Sequence, residues 1–184
     1  MSIDFVPAED YRDEVKALYK SAFPKEEQAP FRLLFKRERQ EIADFYAVVD
    51  EGEFVGLTLL TGLDDVVTLF FFAIDDNLRG HGYGTEVLTA LKDKYDGKRI
   101  FICIEPIEKD APNYKQRVKR KAFYKKNGFK VMPFQVGALH VQPRVAIVLI
   151  DCNNLPSLLL AVGFQHIPLV GDAGALPLLV IVLA

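Results

Sequence analysis

Cysteine and histidine are scarce in this chain, which has two cysteines and three histidines among its 184 residues. So few cysteines suit a reducing compartment. Cys103 lies in an apolar stretch, where a small core residue is expected rather than a ligand or a nucleophile. The histidines, His81, His140 and His166, lack the spacing of metal ligands. We therefore expect no metal ion.

The chain also lacks a strong net charge, a leader-like start and long apolar runs. Its net charge of −2 argues against bulk electrostatic binding of nucleic acid. The first residues, Met-Ser-Ile-Asp, lack the basic region and apolar core of a signal peptide, so we expect a cytoplasmic protein. The wholly apolar stretches fall short of the roughly 20 residues of a transmembrane helix, so no membrane is expected.

Charged residues almost disappear towards the carboxyl end of the sequence. After Arg144 the only ionised side chains are Asp151 and Asp172, and prolines interrupt the apolar stretches. We predict a domain over residues 1–150 and an apolar tail of uncertain role over residues 151–184. A homodimer or other oligomer contact, a strand or helix that covers the domain, and sequence from a shifted reading frame remain alternatives for this tail.

The segment from Arg79 to Gly84 reads Arg-Gly-His-Gly-Tyr-Gly, and we call it the glycine loop. A predicted strand leads into it and a helical pattern follows. Glycines at alternate positions let backbone N–H groups approach a ligand, the helix start adds further N–H groups, and Arg79 suits a phosphate. The spacing differs from the Rossmann and Walker patterns. The segment predicts either a diphosphate-binding loop or a tight strand-to-helix turn with an exposed arginine.

Two later segments carry candidate catalytic side chains. An apolar run ends in Glu105, and the proline that follows stops the strand. A helical pattern over residues 119–126 contains Tyr124 and stops at an Asn-Gly pair. A carboxylate at the end of a buried strand lies where chemistry is often done, and the hydroxyl of a tyrosine whose ring is packed can still reach a cleft. In the alternative interpretation Glu105 is an ordinary strand-end residue in water, and Tyr124 is a core tyrosine with a satisfied hydroxyl.

The order strand, glycine loop, helix, strand, then a helix ending Phe-Tyr-x-x-Asn-Gly-Phe resembles the GNAT superfamily of acyl-CoA-dependent N-acyltransferases, as a bacterial-type N-acetyltransferase. The resemblance covers roughly residues 1–142. In that family the loop binds the diphosphate of coenzyme A through backbone amides, and Arg79, Gly82 and Gly84 match its fixed positions. The resemblance implies that Tyr124 protonates the departing CoA thiolate.

The resemblance also implies the remaining contacts with acetyl-CoA, the expected co-substrate. The pantetheine arm pairs with an exposed strand edge in this family. Asp76 stands where the family often has proline, and Arg117 stands where asparagine is common and could instead meet a CoA phosphate. The predicted cofactor-binding residues are Phe72, Ala73, Ile74, Arg79, Gly80, His81, Gly82, Tyr83, Gly84, Thr85 and Arg117.

The pattern of elements and the resemblance predict one fold class, α/β (α+β mixed), with a GNAT-like central mixed, mostly antiparallel sheet flanked by helices. The predicted strands are residues 3–7, 45–49, 54–61, 66–74, 99–106, 131–136 and 145–150. The predicted helices are residues 10–22, 31–43, 85–94 and 119–126.

The predicted activity is transfer of an acetyl group from acetyl-CoA to a primary amine by direct attack in a ternary complex. Glu105 is the candidate base, directly or through a water. Backbone N–H groups near Ala73 and Ile74 would polarise the thioester carbonyl, and Tyr124 would donate a proton. The acceptor is a small-molecule or protein amine of unknown identity.

Two alternatives to this activity remain open. The chain could be a CoA-binding regulatory module without catalysis, or a polyanion-binding protein that uses the basic helix over residues 115–130. Residues 111–150 contain nine Lys or Arg and no Asp or Glu. For most of these cations a solvated helix face is the plain explanation, and attraction of the CoA phosphates is the functional one.

Overall fold

The computed structural model describes residues 1–63, 65–137, 145–151 and 181–182. The chain forms two compact units, Met1–Asp96 and Gly97–Ala184. The predicted domain boundary after residue 150 lies inside the second unit and stays a prediction. Within the described ranges, no helix has the length and hydropathy needed to cross a lipid bilayer.

The first unit is an antiparallel meander with three α-helices. Its strands, in sheet order, are β1 (Ile3–Pro7), β2 (Asp44–Asp50), β3 (Glu53–Leu63) and β4 (Val66–Ile74). Its helices are α1 (Arg12–Ala22), α2 (Phe31–Arg39) and α3 (Tyr83–Lys94), with short 3₁₀ turns at Ala8–Tyr11, Lys25–Glu27 and Asp76–Leu78. Helix α1 buries Val15, Leu18 and Tyr19, because that spacing puts them on one helical face.

Aromatic packing holds α1 and the first residue of α2 against β4. The Tyr19 ring lies 5.0 Å from Phe71, 5.5 Å from Phe23 and 5.8 Å from Phe31, measured between ring centroids. The Tyr19 hydroxyl also accepts a 2.8 Å hydrogen bond from the Ala29 N–H. Offset and edge-on aromatic pairs add stability beyond their buried area, so β4 is held firmly on this face.

Two backbone features shape β3 and β4 where the chain approaches the glycine loop. Gly56 pairs with Ile74, and a Cβ built on Gly56 would lie 2.4 Å from the Ala73 carbonyl oxygen. Leu59 pairs with Phe71 and Leu60 pairs with Leu69, so residue 70 of β4 is an extra residue with no partner of its own in β3. This is a β-bulge, which disrupts the ladder locally and bends the strand.

We expect Gly56→Ala to destabilise the protein by about 1–3 kcal/mol, because the added methyl must displace the β4 backbone. The matched control is Gly62→Ala in the same strand, where the nearest atoms to a built Cβ are at an ordinary 3.7 and 3.8 Å. Urea unfolding of both variants measures the difference. Equal midpoints for Gly56→Ala, Gly62→Ala and the parent protein would contradict the close approach.

The described residues of the second unit form an antiparallel sheet and one α-helix. Its strands, in sheet order, are β5 (Arg99–Ile104), β7 (Val145–Asp151), β6 (Phe129–Gly137) and β8 (Ile181–Val182). Helix α4 (Tyr114–Lys126) precedes β6, and Gly128 follows it with a φ of 88°, which suits glycine at a helix end. In the predicted tail the structure describes Asp151, which ends β7, and β8, which pairs with β6. Residues 152–180 and 183–184 lie outside the described residues.

The predicted helices at residues 10–22 and 85–94 begin within two residues of their observed starts, Arg12 and Tyr83, but the boundaries of the other two differ by four or five residues. Helix α2 ends at Arg39 rather than residue 43, because Glu41 has a φ of 56° and leaves the helical conformation. Helix α4 begins at Tyr114 rather than residue 119. Its less exposed stripe is Tyr114, Arg117, Lys121 and Tyr124, whereas Val118 is 38% exposed.

Candidate functional site

The glycine loop follows a short, well-defined turn. The Asp75 carboxylate caps Asp76–Leu78 by accepting a 2.9 Å hydrogen bond from the Asn77 N–H. Arg79 then pairs with Asp76 at 2.6 Å, and both side chains are more than half exposed. An exposed ion pair of this kind contributes little to stability, so the Arg79 guanidinium can exchange its partner for an anion.

Two glycines give the loop its shape. Gly80 and Gly82 have φ values of 84° and 95°, in the left-handed region that side chains disfavour. A built Cβ meets nothing within 4 Å at Gly80 and only the Met1 Cε, at 3.9 Å, at Gly82. Gly82 is the N-cap of α3 and supplies no side-chain cap. The Thr85 N–H donates a 2.9 Å hydrogen bond to the Gly82 carbonyl, so the N–H groups of Tyr83 and Gly84 are the ones available to an anion.

A carboxylate missed by the sequence interpretation anchors the start of α3. The Tyr83 hydroxyl donates a 2.9 Å hydrogen bond to Asp50, which also accepts a 2.7 Å bond from the Ser2 N–H. The Ser2 and Tyr83 bonds lower the pKa of Asp50, and the bond to Asp50 raises the pKa of Tyr83. No sequence signal links these residues, because 33 positions separate Asp50 from Tyr83.

The predicted strand-edge residues lie at the end of β4. Ala73 is buried, and Phe72 and Ile74 are half-buried. On the β3 side they pair with Thr58, Leu57 and Gly56. The bulge at residue 70 lies just before them, and the sequence interpretation did not include it. Bulges are frequent beside active sites because they re-aim backbone and side-chain groups.

Glu105 directly follows β5 and is held by three side chains. Its Oε1 accepts a 3.1 Å hydrogen bond from the Asn113 amide, and its Oε2 accepts one from Arg120. The Arg117 Nε lies 3.8 Å from Oε1. The side chain is 20% exposed. The predicted alternative of a freely solvated carboxylate therefore does not describe Glu105.

Arg117 ties the connection between β5 and α4 together. It donates hydrogen bonds of 2.7 Å to the Asn113 side-chain oxygen, 2.8 Å to the Pro106 carbonyl and 3.1 Å to Glu108. Its side chain is 15% exposed. These contacts occupy much of the guanidinium, so a contact with a CoA phosphate would require Arg117 to exchange partners. That contact stays a prediction.

Tyr124 lies on the buried stripe of α4 and is 7% exposed. Its ring packs 5.2 Å from Phe123 and 5.7 Å from Phe129, between centroids. Burial raises the pKa of Tyr124 to about 12, and the nearby positive charge of Arg120 opposes that rise. Among the described residues its hydroxyl has no hydrogen-bond partner, unlike the satisfied core tyrosine of the alternative interpretation.

The predicted site residues thus fall into two groups, one in each unit. The first unit holds Phe72, Ala73, Ile74 and the sequence from Arg79 to Thr85, with His81 exposed in the loop. The second unit holds Glu105, Arg117 and Tyr124, of which Glu105 and Arg117 are in contact. No group of three or more potential metal ligands occurs among the described residues.

Comparison with models of known protein families identifies the family of this chain. The model of the acetyltransferase (GNAT) family matches residues 11–129, nearly two thirds of the chain and inclusive of the glycine loop, Glu105 and Tyr124. The chain belongs to the GNAT acetyltransferase family. It is therefore an acyltransferase that depends on acetyl-CoA. A search of curated protein sequences finds no significant match to this GNAT protein.

Solved structures with similar folds support the assignment. A protein attributed to the GNAT acetyltransferases of Bacteroides thetaiotaomicron has 18% identity and a TM-score of 0.71, over 83% of this chain and 88% of its own. The S18-alanine N-acetyltransferase of Escherichia coli has 16% identity and a TM-score of 0.60, over 87% and 98%. An aminoglycoside 6'-N-acetyltransferase complexed with coenzyme A has 14% identity and a TM-score of 0.62, over 82% and 96%.

At these identities the likeness establishes the fold. It confirms the predicted class, a mixed α/β protein with a mostly antiparallel sheet flanked by helices. The residues of this GNAT protein also fit its co-substrate. Positive φ values at Gly80 and Gly82, an uncapped start of α3 and an exposed guanidinium at Arg79 are the features that a diphosphate requires.

Proposed function

We propose that this GNAT protein transfers the acetyl group of acetyl-CoA to a primary amine by direct attack in a ternary complex. The observation that carries the proposal is the glycine loop at the uncapped start of α3, with left-handed Gly80 and Gly82. Family membership supplies the acyl donor. Tyr124, buried and protonated, supports the assignment of a proton donor.

The loop would bind the donor through its backbone. N–H groups from Gly80 to Gly84 would hold the diphosphate, and Arg79 would exchange the Asp76 carboxylate for a phosphate oxygen. The pantetheine arm would lie along Phe72, Ala73 and Ile74. Anchoring of Tyr83 by Asp50 supports a fixed orientation of the loop before the donor arrives, which lowers the entropic cost of binding.

The chemical step needs three proton transfers. Glu105, through a water, would take a proton from the acceptor ammonium, and the amine nitrogen would then attack the thioester carbon. N–H groups near Ala73 and Ile74 would stabilise the negative charge on the carbonyl oxygen. As the C–S bond breaks, the sulfur would take the bonding electrons and the proton of the Tyr124 hydroxyl. The proton left on the new amide nitrogen would pass to water.

The pKa of Tyr124 supports its assignment as the acid. Because burial raises that pKa to about 12, the hydroxyl is protonated throughout the neutral and mildly alkaline range. It therefore carries a proton to donate at any pH where the amine acceptor is reactive. The absence of a hydrogen-bond partner among the described residues also leaves the hydroxyl able to point at a substrate atom.

The acceptor is a small-molecule or protein amine. The structural neighbours include enzymes named for both kinds, an aminoglycoside 6'-N-acetyltransferase and the S18-alanine N-acetyltransferase. Both names specify acetyl transfer to nitrogen, which supports the reaction class without selecting the acceptor. A cytoplasmic location and a homodimer stay predictions.

A binding experiment separates this proposal from its alternatives. Thermal-shift titrations with acetyl-CoA, CoA and single-stranded nucleic acid are expected to stabilise the protein with the first two ligands only. Stabilisation by nucleic acid would favour a polyanion-binding protein that uses the exposed cations of α4. Stabilisation by CoA with no turnover of any amine would favour a regulatory module.

We expect Glu105→Gln to slow turnover most below neutral pH and to recover partly at high pH. At low pH the acceptor is protonated and needs a base, whereas a neutral amine at high pH does not. The control is Asp110→Asn, which removes an exposed carboxylate from the same connection. The pH profile of kcat measures the difference, and a Glu105→Gln profile that parallels the parent would remove Glu105 as the base.

A further inference from the structure

We propose that Arg120 is a positioning residue that acts as a shared counter-ion, paired with Glu105 before the reaction and with the Tyr124 oxygen during it. The inference rests on the proposed function, because it assumes proton transfer at both of these side chains. Arg120 would touch neither substrate. It would act through the base and the acid.

The geometry that carries the inference is a chain of three side chains. Arg120 donates a hydrogen bond to the Glu105 Oε2 from a position fifteen residues later in the chain. Tyr124 follows Arg120 by four positions in α4, and side chains so spaced are neighbours on a helix surface. Arg120 thus lies beside both groups, and its charge is felt at the Tyr124 hydroxyl.

Charge balance explains what a shared cation would do. Before reaction the three groups are a carboxylate, a guanidinium and a neutral phenol. After the amine proton reaches Glu105 and the Tyr124 proton reaches the sulfur, they are a carboxylic acid, a guanidinium and a phenolate. The sum of charges is unchanged, and no proton leaves Arg120. Arg120 loses its carboxylate partner when Glu105 is protonated, and the Tyr124 phenolate forms at the same time. The guanidinium then stabilises that buried phenolate.

Arg120 fits this role better than its neighbour Arg117. Arg117 is 15% exposed and donates to Asn113, Pro106 and Glu108, so it is fixed within the connection. Arg120 is 44% exposed, and among the described residues Glu105 is its one hydrogen-bond partner. A side chain with one partner can turn towards Tyr124 without breaking the fold of the connection.

A structural ion pair would behave differently from a shared counter-ion. Arg120 is 44% exposed, and Asn113 and Arg117 still contact Glu105 when Arg120 is replaced, so losing a merely structural pair would leave turnover and donor binding nearly unchanged. A counter-ion to the phenolate acts in the transition state, so losing it lowers kcat while the KM for acetyl-CoA stays nearly constant. The two roles therefore predict different kinetics.

The test compares Arg120→Gln and Arg120→Lys with the matched control Lys119→Gln, which removes an adjacent exposed cation of α4. We expect Arg120→Gln to lower kcat by about tenfold to a hundredfold with the KM for acetyl-CoA changed by less than about twofold. Arg120→Lys should recover most of the loss, because it restores the positive charge. Lys119→Gln should match the parent protein.

A second pair of variants separates failure of this inference from failure of the proposed function. In a Tyr124→Phe background, Arg120→Gln should lower kcat by less than about threefold, because no phenolate forms. If Tyr124→Phe is slow but Arg120→Gln keeps full kcat, the counter-ion role is wrong and the proposed reaction stands. If Tyr124→Phe keeps full turnover, the counter-ion role of Arg120 and the proposed role of Tyr124 as the acid are both wrong. If Arg120→Gln does not fold, a folded Arg120→Lys with less than a tenth of the parent kcat overturns the inference, and near-parental kcat supports it.

Discussion

Gly82→Val is expected to weaken acetyl-CoA binding by about a hundredfold or more, the size of losing two hydrogen bonds to a charged group. Gly82 has a φ of 95° and caps α3, so valine would both strain the backbone and place a branched side chain where the diphosphate must lie. Isothermal titration of acetyl-CoA measures the loss. The circular dichroism spectrum should stay that of the parent.

The control for backbone strain is Gly97→Val. Gly97 also has a positive φ, 79°, and a built Cβ there meets nothing within 4 Å, but it follows the other end of α3. We expect a similar cost in stability and unchanged affinity for acetyl-CoA. Parental affinity in a folded Gly82→Val would show that the glycine loop does not hold the diphosphate.

Tyr124→Phe is expected to lower kcat by about 10²–10⁴-fold, the usual contribution of a general acid or base. The substitution keeps the ring between Phe123 and Phe129 and removes the hydroxyl. Because the proton moves only as the C–S bond breaks, the affinity for acetyl-CoA should change little. Steady-state kinetics with a thiol reagent, together with titration of acetyl-CoA, separate the two effects.

Tyr114→Phe provides the matched control, because Tyr114 lies on the same stripe of α4 nearly three turns earlier by sequence spacing. We expect parental kcat and KM for that variant. Full turnover by Tyr124→Phe with every accepted amine would place the proton donor elsewhere, for example on a water. Equal losses in both tyrosine variants would indicate a packing defect of the helix rather than lost acid catalysis.

Much of the fold could be predicted from local patterns. The run of β-branched and aromatic residues predicts β4 with the bounds that the structure has, Val66–Ile74. Alternating patterns around Asp50-Glu51-Gly52 predict the β2–β3 hairpin, and its two central residues have the positive φ values of a type I′ turn. These signals are local, so a single sequence contains them in full.

Other features depend on contacts that a sequence does not display. The sequence pattern predicts that α2 continues to residue 43. Glu41 instead adopts a left-handed backbone conformation, and glutamate carries no local signal for that conformation. The apolar Val118 of α4 is 38% exposed, whereas the less exposed stripe of the helix contains Arg117 and Tyr124. Side chains with polar tips can occupy a buried stripe when partners satisfy them, and those partners lie elsewhere in the chain.

The candidate site also contains residues that the sequence could predict and residues that it could not. The glycine loop and Tyr124 could be identified because their residue types and order are a family pattern, and the GNAT match confirms the family. Asp50 and Arg120 could not, because each acts through a partner distant in sequence, Tyr83 and Glu105. The roles of all these residues stay predictions that the variants above test.

The central claim is direct transfer from acetyl-CoA to an amine, and a single-turnover experiment tests it most directly. Enzyme in excess is mixed with acetyl-CoA labelled in the acetyl group, with and without each amine of a panel, and thiol release and label are followed. We predict no thiol burst and no labelled protein without amine, and equal amounts of free CoA and acetylated amine with an accepted one. A thiol burst that leaves the label on the protein, or a complete lack of turnover across the panel despite donor binding, would contradict the account.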